Sequence, residues 1–237
     1  MKDSLESPTL PDHWSLTIEQ IGREGVPVAI IDNFAREPEA MLADARTRVF
    51  RKNAPFYPGI RAEPRIDGLD GSGEALAALT RAVFGYPGGF DIQECFYSLV
   101  TTPAEELLPM QCLPHFDGVD DRKLALLHYL CEPAKGGTGF YRHRSTGWET
   151  VTDARFPDYK AALKADVATH GMPPRRYPAG SDAMFERIGG VEAVFNRMVI
   201  YPGIVLHAFD MPEDFAFSPD ADRGRLTVNT FLTPAGS

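Results

Sequence analysis

The amino-acid sequence predicts an α+β fold in which helices support one face of an antiparallel β core. Helical spacing of apolar residues dominates residues 35–84, whereas residues 94–232 contain short strand-like runs between Gly/Pro turns. Strands with this spacing are typical of a sandwich or barrel, and helices that precede them cover one face of the sheet. The 237 residues suffice for one core. We therefore expect a single domain over residues 1–237, with a supporting part at 1–93 and a β core at 94–237.

The N-terminal part is predicted to hold one strand and two helices. Residues 1–12 are interpreted as a loose arm, and the β-branched run at residues 26–34 predicts a buried strand. Apolar residues at helical spacing predict a helix over residues 35–51. Two prolines indicate a loop at residues 53–60, and a second helix is expected at residues 74–84, before a Gly/Pro breaker.

The β core is predicted from five short apolar runs. They occupy residues 94–100, 123–130, 138–143, 197–202 and 225–232. Residues 158–168 and 182–188 show a helical pattern and are interpreted as helical insertions. The segment at about 147–195 is longer than a minimal core needs, so we expect this insertion to shape access to a site.

The composition excludes two broad classes of function. Lys and Arg number 24 against 33 Asp and Glu, which gives a formal net charge of −9. Nucleic acids and anionic membranes call for a basic face, so we expect neither as a partner, although a local basic pocket stays possible. Three cysteines do not make a disulfide framework. With no apolar signal segment and no apolar run of membrane-spanning length, we expect a cytoplasmic location.

The first candidate site is the pair His115 and Asp117 in the run LPHFDG. Non-haem iron oxygenases hold Fe(II) through two imidazoles and one carboxylate on one face of the metal. Residues two apart project to the same side of an extended segment, so this pair could supply two of the three ligands. Taken alone, the pair is better explained as a solvated histidine and an aspartate that caps a turn before Gly118, so its interpretation depends on the rest of the sequence.

The second candidate is His207, which follows an apolar strand and the turn Pro202-Gly203. A histidine there could approach the first pair in a barrel, although a histidine in apolar surroundings is often a satisfied core residue. Arg225 then opens a strand in phase with Thr227. An inward-facing arginine is costly unless it meets an anion, and a dicarboxylate would supply one through a bidentate contact.

The order of these motifs resembles a known enzyme family. The motifs occupy about residues 94–233. A strand comes first, then His-x-Asp, a second strand and a strand that follows Gly-Gly. The run NRMVIYP comes next, with a histidine five residues after its proline, and RLTVNTF is last. This order is similar to the core of the prolyl-hydroxylase-like Fe(II)/2-oxoglutarate-dependent dioxygenases. The resemblance implies a double-stranded β-helix, that is, a jelly-roll or cupin-like barrel, with N-terminal supporting helices at residues 1–93.

The resemblance also implies roles for five side chains. His115, Asp117 and His207 would bind Fe(II). Arg225 would hold the far carboxylate of the cosubstrate 2-oxoglutarate, and Tyr129, in the run LLHYL, would bond the same carboxylate. No further catalytic residue is implied beyond the metal ligands.

The sequence departs from the family pattern in the spacing of the arginine. Many members place it closer to the distal histidine, whereas here residues 208–224 separate His207 from Arg225. The extra residues are interpreted as an inserted loop. Arg223 is a rival for the same role, because it would have the same facing if the strand began two residues earlier. Arg225 is preferred because RLTVNTF matches the family strand without a gap.

The chemistry implied by the resemblance is oxidation of a peptide or a small molecule. In that family O₂ converts 2-oxoglutarate into succinate and CO₂ and leaves an iron-oxo species that abstracts a substrate hydrogen. Three alternatives stay open: a barrel with a decayed site that acts as a binding or regulatory module, a cupin-type metalloenzyme without 2-oxoglutarate, and a zinc hydrolase. The sequence does not select the substrate or the oligomeric state, since one fold supports many functions.

Overall fold

The computed structural model of the protein describes residues 10–236, so most of the predicted N-terminal arm lies outside the described residues. Ten strands lie within this range: β1 (Ser15–Ile21), β2 (Val26–Asp32), β3 (Gly59–Ala62), β4 (Phe90–Val100), β5 (Leu124–Tyr129), β6 (Gly137–His143), β7 (Phe185–Val191), β8 (Arg197–Pro202), β9 (His207–Asp210) and β10 (Leu226–Pro234). The α-helices of the same range are α1 (Pro38–Arg46), α2 (Gly73–Phe84) and α3 (Phe156–His170). The predicted α+β class is thereby confirmed.

The strands form two antiparallel sheets. The larger sheet has seven strands in the order β1-β2-β8-β5-β10-β4-β3, and the smaller has three in the order β7-β6-β9. Within residues 10–236 no ladder joins the two sheets into a closed barrel, and the extra pairings are isolated bridges such as Thr150 with Val205. The expected barrel is therefore an open pair of sheets.

The central strands of the larger sheet are buried on both faces. On β5, Leu124 and Leu126 point to a core that includes side chains of α1 and α2. Ala125 and Leu127 point the other way, to a core shared with β6 of the smaller sheet. This two-residue alternation follows from the pleat of a strand. The N-terminal helices thus support one face, as predicted, and leave the opposite face for a site between the sheets.

Several predicted elements are confirmed with changed ends, and one is wrong. The predicted helix at 35–51 is shorter, because it ends at Arg46. The loop predicted at 53–60 gives way to β3 at Gly59. Residues 182–188 do not form a helix: they lead into β7, whose residues pair with β6 across the smaller sheet. The segment is a strand because it pairs with β6, and its local apolar spacing does not determine its structure. It is half-exposed along much of its length.

The segment at 147–195 contributes α3 and β7, so it supplies both a helix and an edge strand of the smaller sheet. Cys95, Cys112 and Cys131 are all free thiols, as expected. None of the helices in residues 10–236 combines the length and apolar composition needed to cross a lipid bilayer.

Candidate metal centre

Two backbone contacts bring the three predicted ligands together. The amide N–H of His115 donates to the carbonyl oxygen of His207 at 2.9 Å, and the N–H of His207 donates back to the oxygen of His115 at 2.8 Å. Two residues on, the N–H of Asp117 donates to the carbonyl oxygen of Gly203 at 2.7 Å. His207 is the first residue of β9. His115 pairs with it in an isolated bridge and does not belong to a longer strand.

The side chains of these residues converge on one point. His207 Nε2 lies 3.5 Å from Asp117 Oδ2, and His115 Nε2 lies 4.0 Å from Asp117 Oδ1. The two imidazole ring centroids are 4.3 Å apart. One donor atom from each residue lies within 4.8 Å of the other two. Two imidazoles and one carboxylate at this spacing form a set of donors that could hold one metal ion.

A backbone contact sets the tautomer of His207. Its Nδ1 lies 2.9 Å from the carbonyl oxygen of Val205. Because a carbonyl oxygen can only accept, Nδ1 carries a proton, and in the neutral ring the lone pair is therefore on Nε2. Nε2 is the atom nearest Asp117, so the free lone pair points to the other donors. An outer contact of this kind is the usual way in which a metal-binding histidine is oriented.

The environment of His115 also favours its neutral form. Water still reaches 56% of its side chain, but surrounding protein atoms displace part of the solvation of the ring. This desolvation is the main cause that lowers the pKa of His115, and the neighbouring His207 lowers it further. The carboxylate of Asp117 raises the pKa in part, whereas the charge of Arg61 lowers it. A neutral imidazole at physiological pH has a lone pair available for a metal.

Arg225 lies between the two sheets and is almost completely buried. The residue directly precedes β10, and only 4% of it is exposed. The guanidinium carbon lies 4.4 Å from the ring centroid of Phe209 and 5.4 Å from that of Tyr129. Its Nη2 donates to the carbonyl oxygen of Gly137 at 3.1 Å, whereas the shielded Nε has no hydrogen-bond partner among residues 10–236. The rival Arg223 is exposed.

Tyr129 is buried beside this arginine. Its hydroxyl lies 2.7 Å from Thr138 Oγ1, which joins β5 to the smaller sheet. Burial raises the pKa of Tyr129, and the charge of Arg225 acts in the opposite direction. The phenol is therefore a neutral hydrogen-bonding group at physiological pH. The structure thus places Tyr129 and Arg225 side by side.

Tyr201 on β8 connects the two groups and was not predicted. Its ring centroid lies 4.9 Å from that of His207, and the residue is buried. Burial raises the pKa of Tyr201, Asp117 raises it further, and Arg225 lowers it. The charges of a candidate ligand, Asp117, and of the buried arginine thus both act on the Tyr201 hydroxyl. The two-residue alternation of RMVIYP could have identified it, because Tyr201 shares a face with Val199.

A second arginine, also missed from the sequence, lies across the larger sheet. Arg61 on β3 is opposite Ser98 on β4, which is opposite Thr227 on β10, and Thr227 is opposite Tyr129 on β5. Residues directly opposite on antiparallel strands project to the same face. Arg61, Ser98, Thr227 and Tyr129 thus form one row facing the smaller sheet. The short strand β3 follows Pro58, and this proline-rich context hid it from pattern analysis.

The 147–195 segment contacts Phe116, which lies between His115 and Asp117 in the sequence. The Phe116 ring packs edge-on against Phe156 and Tyr159 of α3, with centroid distances of 6.0 and 5.8 Å. The helix therefore forms a wall beside the candidate metal centre.

Comparison with solved structures shows that the fold is shared. The chain is similar to HygX from Streptomyces hygroscopicus, solved with nickel and 2-oxoglutarate bound: the identity is 11%, the TM-score is 0.51, and the match covers 90% of this chain and 85% of HygX. SnoN, a non-heme alpha-ketoglutarate-dependent epimerase from nogalamycin biosynthesis, is 14% identical, with 88% and 78% covered and a TM-score of 0.49. AviO1 from Streptomyces viridochromogenes Tue57 is 12% identical, with 100% and 98% covered and a TM-score of 0.43.

Sequence comparison gives a family assignment. No curated protein matches the chain. The profile of the family described as "Family of unknown function (DUF6445)" matches residues 12–232, which is most of the chain. The chain therefore belongs to this family.

Proposed function

We propose that the protein is an Fe(II)- and 2-oxoglutarate-dependent oxygenase of the prolyl-hydroxylase-like kind, acting on a small molecule or a peptide. The observation that carries the proposal is a conjunction between the two sheets. The donor atoms of His115, Asp117 and His207 lie within 4.8 Å of one another, and a buried arginine with an unpartnered Nε packs against Phe209, two residues after His207 on β9. Each half alone has an ordinary structural explanation, but together they match an iron and a dicarboxylate.

The donor set fits Fe(II). Two imidazoles and one carboxylate leave other positions on the metal open, which is the arrangement of non-haem iron oxygenases. Water reaches 56% of the His115 side chain but only 8% of that of His207, so the centre opens on one side. Asp117 supplies the negative charge that compensates the ion. We infer that His115, Asp117 and His207 are the ligands.

The surroundings of Arg225 fit the far carboxylate of 2-oxoglutarate. A buried cation without an ion-pair partner is costly, and a bidentate carboxylate is the partner that a guanidinium binds best. Tyr129 lies beneath the guanidinium and can add a hydrogen bond. Among residues 10–236 no acidic side chain pairs with Arg225. The shared fold with HygX, which was solved with nickel and 2-oxoglutarate, supports the same assignment.

The chain's own residues would have three tasks in this reaction. Iron and 2-oxoglutarate supply the means to activate O₂ for oxidation of the substrate. His207, fixed by Val205, and Asp117, fixed by Gly203, hold the ion in place. Arg225 and Tyr129 would orient the cosubstrate, and the buried Tyr201 ring shields the inner side of His207 from water. The acidic composition makes nucleic acid a poor substrate class.

The decisive experiment combines binding and turnover. The metal-free protein is titrated anaerobically with Fe(II) and then with 2-oxoglutarate, and the weak visible charge-transfer band of the iron chelate is recorded. We expect the band, together with slow conversion of 2-oxoglutarate to succinate once O₂ is admitted. Succinate formation would exclude a decayed binding module. Absence of the band, together with absence of 2-oxoglutarate binding by calorimetry, would overturn the proposal.

A further inference from the structure

A corner of the larger sheet carries polar groups that the proposed reaction leaves unused. It is formed by Arg61 on β3, Ser98 on β4 and Tyr57 in the loop before β3, and we call it the Arg61 corner. The guanidinium carbon of Arg61 lies 4.4 Å from the ring centroid of Tyr57. Arg61 and Ser98 are opposite one another on adjacent strands, so both side chains project to the face that carries Tyr129.

Three polar atoms in this corner are shielded from water and lack a hydrogen-bond partner in the described part of the chain. They are Arg61 Nε, Tyr57 Oη and Ser98 Oγ. A shielded polar atom without a partner costs free energy, and native proteins rarely leave several together. The nearest acidic group is Glu94, whose Oε2 is 3.9 Å from Arg61 Nη1 and whose side chain is 48% exposed. This long, solvated pair leaves Arg61 Nε without a partner, and the hydroxyls of Tyr57 and Ser98 are close neighbours that can both turn toward one ligand.

The Arg61 corner is close to both parts of the proposed site. Tyr57 packs in a cluster with Tyr177 and Phe209, and Phe209 is the ring against which Arg225 stacks. The strands β4 and β10 lie between Arg61 on β3 and Tyr129 on β5, so the backbones of these two residues are about 15 Å apart at the usual strand spacing. A ligand at Arg61 would therefore lie beside the cosubstrate without occupying its place.

We propose that Arg61, Tyr57 and Ser98 bind a carboxylate group of the substrate next to the metal centre. The identification of this ligand as the substrate rests on the proposed function. A planar guanidinium flanked by two hydroxyls matches the shape of a carboxylate. One arginine with Glu94 close by balances a single negative charge better than the nearly double charge of a phosphate. Arg225 is committed to the cosubstrate, so a separate cation for the substrate is chemically reasonable.

The carboxylate could belong to a small acid or to the C-terminus of a peptide. The loops beside the corner expose large apolar side chains, with Phe56 and Met110 each 66% exposed. Gln111 ties these loops together, since its Nε2 donates to the carbonyl oxygen of Phe56 at 3.0 Å. An aromatic acid is therefore a suitable probe, because its ring can rest on this apolar rim.

The test follows the Arg61 Nε–H signal by nitrogen-15 NMR in protein loaded with Zn(II), which keeps the site diamagnetic, and 2-oxoglutarate. Arg61→Lys assigns the signal by its loss. N-acetyl-phenylalanine should shift the signal saturably, and N-acetyl-phenylalaninamide should not. An N-acetyl tripeptide ending in phenylalanine is the second arm, and the tighter of the two acids identifies the source of the carboxylate. Equal shifts by acid and amide, or no shift by either acid, would overturn the proposal.

Variants then separate this site from the cosubstrate site. Arg61→Gln should weaken binding of the preferred acid about tenfold or more, since a charged hydrogen bond is lost. It should leave the affinity for 2-oxoglutarate within about twofold. Arg65→Gln, the same charge change at an exposed neighbour, is the matched control and should change neither. A fall in 2-oxoglutarate affinity for Arg61→Gln would assign Arg61 to the cosubstrate instead and overturn the proposal.

The same titration on metal-free protein distinguishes failure of this proposal from failure of the proposed function. If neither metal nor 2-oxoglutarate binds but the acid still shifts the Arg61 signal, the carboxylate site stands and the oxygenase is wrong. If both cofactors bind but no acid shifts the signal, the oxygenase stands and the substrate class is wrong.

Discussion

His115 and His207 exchange two backbone hydrogen bonds of 2.9 and 2.8 Å, although 91 residues separate them in the sequence. This bridge aligns the two imidazoles with a centroid distance of 4.3 Å. The rings are thus placed by the backbone, so removal of one side chain should remove a ligand without displacing the other.

The first prediction concerns the metal. His207→Ala should weaken Fe(II) binding by about a hundredfold or more, since loss of mere outer contacts to a ligand already costs about 10–100-fold. The measurement is anaerobic calorimetry, with circular dichroism as a check of the fold. His170→Ala, at the exposed C-terminus of α3, is the control and should bind Fe(II) as the wild type does. Wild-type affinity in His207→Ala would exclude His207 as a ligand.

The second prediction concerns the buried cation. Arg225→Met should leave the ligand-free protein equally stable or make it more stable, because an unpaired buried charge is replaced by an apolar chain of similar length. The same variant should lose about tenfold or more in 2-oxoglutarate affinity. Thermal unfolding with and without 2-oxoglutarate measures both effects. Arg223→Met should behave as the wild type, and a larger loss of affinity in Arg223→Met than in Arg225→Met would reverse the assignment of the anchor.

The third prediction concerns acid stability. The buried Glu149 carboxylate accepts the backbone N–H groups of Arg23 and Glu24, each at 2.9 Å, and Arg142 Nε at 2.8 Å. Burial alone would raise its pKa, but these donors outweigh burial and the pKa of Glu149 is lowered. A lowered pKa means that the contribution to stability is present above the ordinary value of 4.5 and is lost as the pH falls below it.

Glu149→Ala tests this contribution. At pH 7 it should reduce the free energy of unfolding by about 3–5 kcal/mol, since Arg142 loses its buried partner. Urea unfolding from pH 7 to pH 3 should show a smaller loss of stability on acidification in the variant than in the wild type. Glu213→Ala, at an exposed position, is the control. Parallel pH profiles for Glu149→Ala and the wild type would show that the ion pair does not contribute.

The fourth prediction concerns Asn196, which is buried with a positive φ of 63°. Its Oδ1 accepts the N–H of Ala35 at 2.8 Å and lies 3.0 Å from His128 Nε2, and its Nδ2 donates to the oxygen of Ala35 at 2.9 Å. Asn196→Ala should reduce the free energy of unfolding by about 3 kcal/mol, through lost partners and backbone strain. Asn196→Gly should lose about 1 kcal/mol less, because glycine tolerates this φ. Equal losses in urea unfolding would mean that strain plays no part.

The sequence was most informative where local pattern and burial agree. The runs that became β5, β6, β8 and β10 are mostly buried, and those of β5 and β8 are mostly apolar, because these strands lie in the interior of their sheets. Arg225 could be predicted because it is polar at an otherwise inward position.

The rest could not be predicted because it depends on contacts between distant segments. β1 is largely exposed along the sheet edge, so it shows no clear hydrophobic alternation. β7 was mistaken for a helix because its strand character comes from pairing with β6. Arg61 belongs to the site only through the register of β3 with β4, which no local pattern encodes. The meeting of His115 with His207 likewise follows from a bridge between remote residues.

The candidate ligands draw on both sheets: His207 opens β9 of the smaller sheet, while Asp117 is bonded to Gly203, directly after β8 of the larger one. The centre can form only after the two sheets have docked, and contacts between such distant segments form late in folding. A bound ion would then act mainly on the lifetime of the native state, because interactions absent from the transition state slow unfolding and leave the folding rate nearly unchanged.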